Sequence, residues 1–229
     1  MKLEKFINEG INDAGIFKTA FMAGHPGSGK SYTLNRIKSG QVEPRVVNTD
    51  KFIEHFDNDI SFLDRAKTLT KNQLVLYINS MLPLAVDGTS ANPSSVLKRY
   101  GLLESFGYDM AMVFVETSLE TAIERVRQRN RKVPEKVIIE FYNEVSRMKS
   151  FYKTKFPVFV TVKNDEGELN NDMILKSFKK LSSFYNSDVK NTIGKHYIET
   201  MRENGWKYLS PHLHSVDEIK RTVSIWYRS

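Results

Sequence analysis

Gly24-His25-Pro26-Gly27-Ser28-Gly29-Lys30-Ser31 satisfies the spacing G-x-x-x-x-G-K-[ST] at every fixed position. Those residue types suit one task, the holding of a polyphosphate. Gly24, Gly27 and Gly29 let the backbone curl so that successive N–H groups aim at phosphate oxygens. A helix starting at Lys30 adds its positive dipole end. Lys30 has the reach and charge for β- and γ-phosphates, and Ser31 offers a hydroxyl to Mg²⁺. The candidate nucleotide contacts are therefore Gly24, Pro26, Gly27, Ser28, Gly29, Lys30 and Ser31, with Tyr32 just beyond the loop and Arg125 from a later helix. His25 occupies a variable position and is expected to point outward, with no role.

Binding phosphate is not yet a reaction, and two carboxylates could supply the chemistry. Asp50 ends a short apolar segment and can accept the proton of an attacking hydroxyl; its alternative reading is the N-cap of a helix over Lys51–Phe56. Asp87 ends a second apolar run and precedes Gly88. It reads either as a carboxylate holding Mg²⁺ or as an ordinary turn aspartate. A third feature is the run Arg125-Val126-Arg127-Gln128-Arg129-Asn130-Arg131-Lys132, with five basic residues in eight and no acid. Helical spacing sets Arg125 and Arg129 on one face. Such a run is either a solvated basic face or a lid that brings Arg129 and Arg131 to the transferred phosphoryl group. His196, His212 and His214 lack metal-ligand spacing with a carboxylate. Phe52, Phe56, Tyr100 and Phe106 read mainly as core, with Phe52 and Phe56 placed to line an acceptor pocket if they do not.

The elements that must position these groups follow from periodicity. Residues 1–15 read as a short amphipathic helix carrying Leu3, Phe6, Ile7 and Ile11. Strands are expected at Phe17–Ala23, Arg45–Asp50, Leu82–Val86, Met110–Val115 and Phe156–Val162. Helices are expected from Ser31, twice between Phe52 and Met81 with a break near Asp57-Asn58-Asp59, over Pro93–Phe106, from Ser118 to about Asn130, from Pro134 to about Tyr152, and over Asn171–Tyr185. Strands separated by helices predict an α/β fold, a doubly wound, mostly parallel five-stranded sheet with helices on both faces. Ligands in such sheets sit at the carboxyl ends of the strands, where the loop, Asp50 and Asp87 should converge. The expected division is a domain over 1–185 and a small helical extension over 186–229.

Composition sets the outer bounds. The chain has 229 residues and no cysteine, which excludes disulfides and thiolate metal sites. No apolar run approaches the length of a membrane span, so a cytoplasmic protein is expected. The net charge of +7 favours a polyanionic partner.

In order, the motifs are Gly24–Ser31, then Val47-Asn48-Thr49-Asp50, then Ala85-Val86-Asp87-Gly88-Thr89 with Asn92-Pro93, then the arginine run leading into Lys132-Val133-Pro134. Over residues 16–165 this order resembles the P-loop 5′-kinase domain of phage polynucleotide kinases. It is also similar to zeta-toxin-type kinases. In overall look, including Met112-Val113-Phe114-Val115-Glu116-Thr117-Ser118-Leu119, it is most similar to phage kinases that phosphorylate 5-hydroxymethyluracil within DNA. The resemblance implies a P-loop NTPase fold, ATP and Mg²⁺ as cofactors, Asp50 as general base, Arg129 and Arg131 as phosphate-binding lid residues, and DNA as acceptor. Asn48-Thr49-Asp50 departs from the polynucleotide kinase pattern in lacking paired acids and a nearby arginine, which weighs against a 5′-hydroxyl acceptor. A polynucleotide 5′-hydroxyl kinase, a zeta-toxin-like nucleotide-sugar kinase and an ATP-driven switch stand as the alternative functions.

Overall fold

The computed structural model describes residues 13–38, 42–128, 133–165, 171–204 and 214–226. Five strands form its sheet: β1 (Lys18–Ala23), β2 (Arg45–Val47), β3 (Leu84–Val86), β4 (Asp109–Glu116) and β5 (Val158–Lys163). Their order is β2-β3-β1-β4-β5, and every pairing is parallel. The expected doubly wound architecture is therefore present, with β1 at its centre.

The helices are α1 (Lys30–Lys38), α2 (Asp50–Glu54), α3 (Leu63–Asn79), α4 (Pro93–Ser105), α5 (Leu119–Arg127), α6 (Glu135–Lys155), α7 (Asn171–Asn186), α8 (Thr192–Glu203) and α9 (Val216–Trp226). β1 shows why both faces need cover. All six of its residues are buried, with Phe21 and Ala23 on one face and Ala20 and Met22 on the other. The Phe21 face packs against α3, α4, α6, α8 and α9, through residues such as Leu74, Leu103, Tyr152, Tyr197 and Ile219. The Met22 face packs against α1 and α7 through Leu34, Ile37, Leu181 and Phe184. Each fully buried side chain of this kind stabilises the fold by about 1.5–3 kcal/mol. Helices α8 and α9 thus share the core of the sheet rather than sitting apart from it.

Local signals fix most boundaries. Asn92 and Ser118 cap α4 and α5, their side chains accepting from the amides of Ser95 and Thr121. The break expected near Asp57-Asn58 is made by two left-handed residues, with φ of 52° and 60°. A single 3₁₀ turn, Ile60–Phe62, then leads into α3. β3 is shorter than expected. Met81 is left-handed and Pro83 has no amide to give the ladder, so pairing starts at Leu84. β2 stops at Val47 because the Asn48 side chain bonds the Asp50 amide and the Asp87 carboxylate, which turns the chain out of the ladder. The helix expected over residues 1–15 falls mainly outside the described residues, and 14–17 form a turn.

Candidate active site

The loop between β1 and α1 is built for close approach. Gly27 (φ 83°) and Gly29 (φ 88°) adopt backbone conformations that side-chain-bearing residues resist. Space forbids a side chain as well. A Cβ on Gly27 would strike the Ala122 carbonyl of α5, and one on Gly29 would strike the Asn164 amide. Lys30 Nζ donates to the carbonyls of Gly24 (2.5 Å) and His25 (3.1 Å), so the ammonium lies over the curl of the loop. Ser28 is fully buried, and its hydroxyl has no hydrogen-bond partner among the described residues. Ser31 is exposed at the start of α1. A glycine cradle, a folded-back lysine and an unsatisfied buried hydroxyl fit an anionic phosphate chain. Pro26 is half-buried beside it, whereas Tyr32 is 52% exposed and accepts from Arg36 Nη1 at 3.3 Å.

His25 does not point outward. It is 3% exposed, and its ring lies 4.6 Å from that of Tyr142 on α6. Its Nδ1 donates to the Pro26 carbonyl at 3.0 Å. Burial holds its pKa below the ordinary value, and the charge of Lys30 acts in the same direction. The inward turn follows from α6 roofing the loop, a contact that no local pattern signals.

Asp50 and Asp87 meet at the carboxyl edge of β2 and β3. Both line a cavity of about 260 Å³, together with Thr49, Thr89, Ser90, Asn92, Ser95 and Arg99. Asp50 is exposed and is the first residue of α2. The N-cap position belongs to Thr49, which makes no side-chain cap bond, so the capping alternative for Asp50 falls away. Asn48, not singled out from sequence, joins the two acids. Its Oδ1 accepts from the Asp50 amide at 2.7 Å, and its Nδ2 donates to Asp87 Oδ2 at 2.7 Å. The cavity wall is tied to the phosphate loop. Gly24 N donates to Thr89 O at 3.2 Å, and Ser90 Oγ donates to Met22 O at 2.9 Å. Tyr152, whose hydroxyl burial pushes up to about 12, donates to Ser90 O at 2.6 Å and holds the same wall from behind.

Arg125 is half-buried and reaches the loop both directly, at Gly27, and through Asn164. Its Nη1 donates to Asn164 O at 2.8 Å and lies 3.5 Å from Gly27 O. Asn164 Nδ2 in turn donates to Ser28 O at 2.9 Å. Asn164 is a second residue that sequence reading missed; it lies just past β5 and carries no motif. Its neighbour Asp165 accepts from the Thr117 hydroxyl and the Ser118 amide. Burial works against ionisation of Asp165, but those bonds and the Arg125 charge prevail and hold its pKa down. Arg127 instead pairs with Glu135 at the surface, at 2.6 Å. Arg129 and Arg131 lie outside the described residues.

No group of three or more His, Asp or Glu side chains among the described residues could hold a metal by itself. Mg²⁺ needs no such group, being commonly held by one or two protein oxygens together with substrate phosphates; the exposed Ser31 hydroxyl and the Asp87 carboxylate in the cavity lining are oxygens of that kind. Phe106 is core as expected and Tyr100 packs against that core, while Phe52 lines a separate hollow. No helix among the described residues is long and apolar enough to cross a membrane.

Known structures are similar in fold at low identity. A protein from Chloroflexus aurantiacus assigned as a kinase aligns over 72% of this chain and 98% of its own, at 14% identity and a TM-score of 0.50. Deoxyadenosine kinase from M. mycoides, solved with bound dATP, aligns over 72% and 99%, at 16% identity and a TM-score of 0.46. A gluconokinase from Sinorhizobium meliloti aligns over 74% and 94%, at 16% identity and a TM-score of 0.47. At these identities the likeness is one of fold alone. Residues 20–147, from the middle of β1 into α6 and so including the phosphate loop, Asp50, Asp87 and Arg125, match the AAA domain family, and the chain belongs to that family.

Proposed function

We propose that this chain is an ATP-dependent kinase that moves the γ-phosphoryl group to an alcohol hydroxyl entering the cavity beside Asp50. The observation that carries the reading is the pairing of Asp50 and Asp87 through Asn48 in a polar cavity whose wall is bonded to the phosphate loop. A nucleotide-gated switch has no need of a carboxylate facing an open acceptor cavity. In the proposed reaction the acceptor oxygen bonds to the γ-phosphorus as the bond to ADP breaks, and the hydroxyl proton passes to the Asp50 carboxylate. Lys30 and the loop amides steady the charge on the phosphoryl oxygens. Mg²⁺, held by Ser31 and Asp87, supplies further neutralisation of phosphate charge when bound. Arg129 and Arg131, in the arginine-rich run after α5, are the proposed further contributors to the same charge.

The acceptor we favour is a hydroxymethyl group on a pyrimidine of DNA. Support comes from the order of motifs, the net charge of +7, and a cavity of about 260 Å³, which suits one base rather than a duplex. The target base must then leave its stack, at a cost of a few kcal/mol. One observation favours a second reading. Arg99 lies in the same polar cavity and suits the anionic group of a small acceptor such as a nucleotide sugar. Radiolabelled ATP offered with hydroxymethyluracil oligonucleotide, its unmodified twin, 5′-hydroxyl DNA and nucleotide sugars separates these readings. Labelling of the modified oligonucleotide alone supports DNA modification. Labelling of the sugar alone replaces it with the small-acceptor reading, and release of phosphate with no labelled acceptor removes the kinase.

A further inference from the structure

A second hollow, of about 230 Å³, opens along the outer edge of β2. Asn48 lines both it and the acceptor cavity, so the two meet at the residue that orders Asp50 and Asp87. Helix α2 divides them. Asp50 faces the first, while Lys51, Phe52 and His55 line the second. Arg45 opens β2, the edge strand that ends one residue before Asn48. The hollow is lined by two cations, Arg45 and Lys51, and by the Phe52 ring; among the described residues Glu43 is its only carboxylate.

Alternating cationic groups and aromatic faces are what single-stranded nucleic acid binds. Phosphodiesters take the charges, and bases take the rings regardless of sequence. An acidic peptide would use the cations but leave the aromatic face idle. We propose that this hollow seats the nucleotide adjoining the reacting one, its phosphodiester against Arg45 and Lys51 and its base against Phe52. The proposal rests on the reading of the Asp50 cavity as an acceptor site for a nucleic acid, and extends it to a polymer held across Asn48.

The test is fluorescence anisotropy of a labelled single-stranded oligothymidylate on the full chain across a salt series, with ATP binding measured on the same preparations. Arg45 and Lys51 are exposed, so Arg45→Ala/Lys51→Ala should fold normally. That double variant should lose about tenfold or more in oligonucleotide affinity and flatten the log–log salt slope by about 0.7 per lost phosphate contact, with ATP affinity unchanged. Phe52→Leu, which keeps apolar bulk but removes the ring, should lose roughly five- to hundredfold. Unchanged affinity and slope in both variants would overturn the proposal, as would no binding by the parent chain or tighter binding of polyglutamate than of the oligonucleotide. Failure of the underlying kinase reading is visible separately, as no label passing from ATP to any oligonucleotide while the binding results stand.

Discussion

Asn48 Nδ2 donates to Asp87 Oδ2 across 2.7 Å, and the same side chain accepts from the Asp50 amide through its oxygen. One amide thus sets the position of both acids at the strand ends, one of them the proposed base and the other the proposed Mg²⁺ ligand. Hydrogen bonds to charged groups contribute about 1.5–3 kcal/mol. Asn48→Ala should therefore lower the melting temperature by roughly 5 °C and, because both acids lose their tether, lower kcat by roughly 10- to 100-fold. Asn48→Asp should be worse, since it sets a third carboxylate against Asp87 and removes the donor. Steady-state kinetics beside thermal melts checks this, and wild-type kcat in Asn48→Ala would mean that the acids need no positioning.

Lys30→Ala should abolish transfer while the fold persists. Its ammonium lies over the Gly24 and His25 carbonyls, within the curl that faces the phosphates. Removing the charge leaves the phosphoryl oxygens uncompensated, on the order of 10²-fold or more in rate. Lys30→Met keeps the stem and should behave alike. Circular dichroism establishes the fold, and transfer at near wild-type rate in either variant would remove the loop from the reaction.

Where a contact is local in sequence, it can be read from sequence. The glycine loop, the caps at Asn92 and Ser118 and the break at Asp57-Asn58 each depend on residues within a few positions, and each is found. Asp50 and Asp87 are predictable at one edge because parallel strands in a doubly wound sheet must end together. What escapes is tertiary. His25 turns inward because Tyr142 on α6 covers it. Asn164 binds Ser28 across 136 positions. Asn48 reads as an ordinary strand-end polar residue, although a polar side chain two positions before a candidate base is a usable signal.

The C-terminal helices hang on a buried ion pair. Lys18 is 1% exposed and donates to Asp109 Oδ2 at 2.7 Å, to Ser187 Oγ and to Asp188 O. Asp109 also accepts from the amides of Lys190 and Asn191, where the chain enters α8. Losing one partner of a buried pair costs about 3–5 kcal/mol, because the other charge is left uncompensated. Lys18→Ala should lower the melting temperature by roughly 10 °C for a chain of this size. A drop of only a degree or two would show that the chain entering α8 is held by other contacts.

His25 gives the phosphate loop a pH dependence whose sign can be worked out. Burial lowers its folded-state pKa below the ordinary 6.5, against the partial opposition of its bond to the Pro26 carbonyl. The unfolded chain takes up the proton near 6.5, and the folded chain only at lower pH. Between those values the unfolded state binds more protons, so stability falls as pH falls. The loss begins near pH 6.5 and ends below the folded-state pKa, with a slope of at most about 1.4 kcal/mol per pH unit from this group. His25→Phe keeps a ring against Tyr142 and removes the titration, so its melting temperature should drop less than that of the parent between pH 7 and pH 5. Subtracting the variant's curve from the parent's isolates His25 from His55, His196 and the His214–Glu218 pair, which both proteins share. Superimposable slopes in that window would mean that His25 is protonated alike in the folded and unfolded chains, and that its buried ring is not kept neutral by α6.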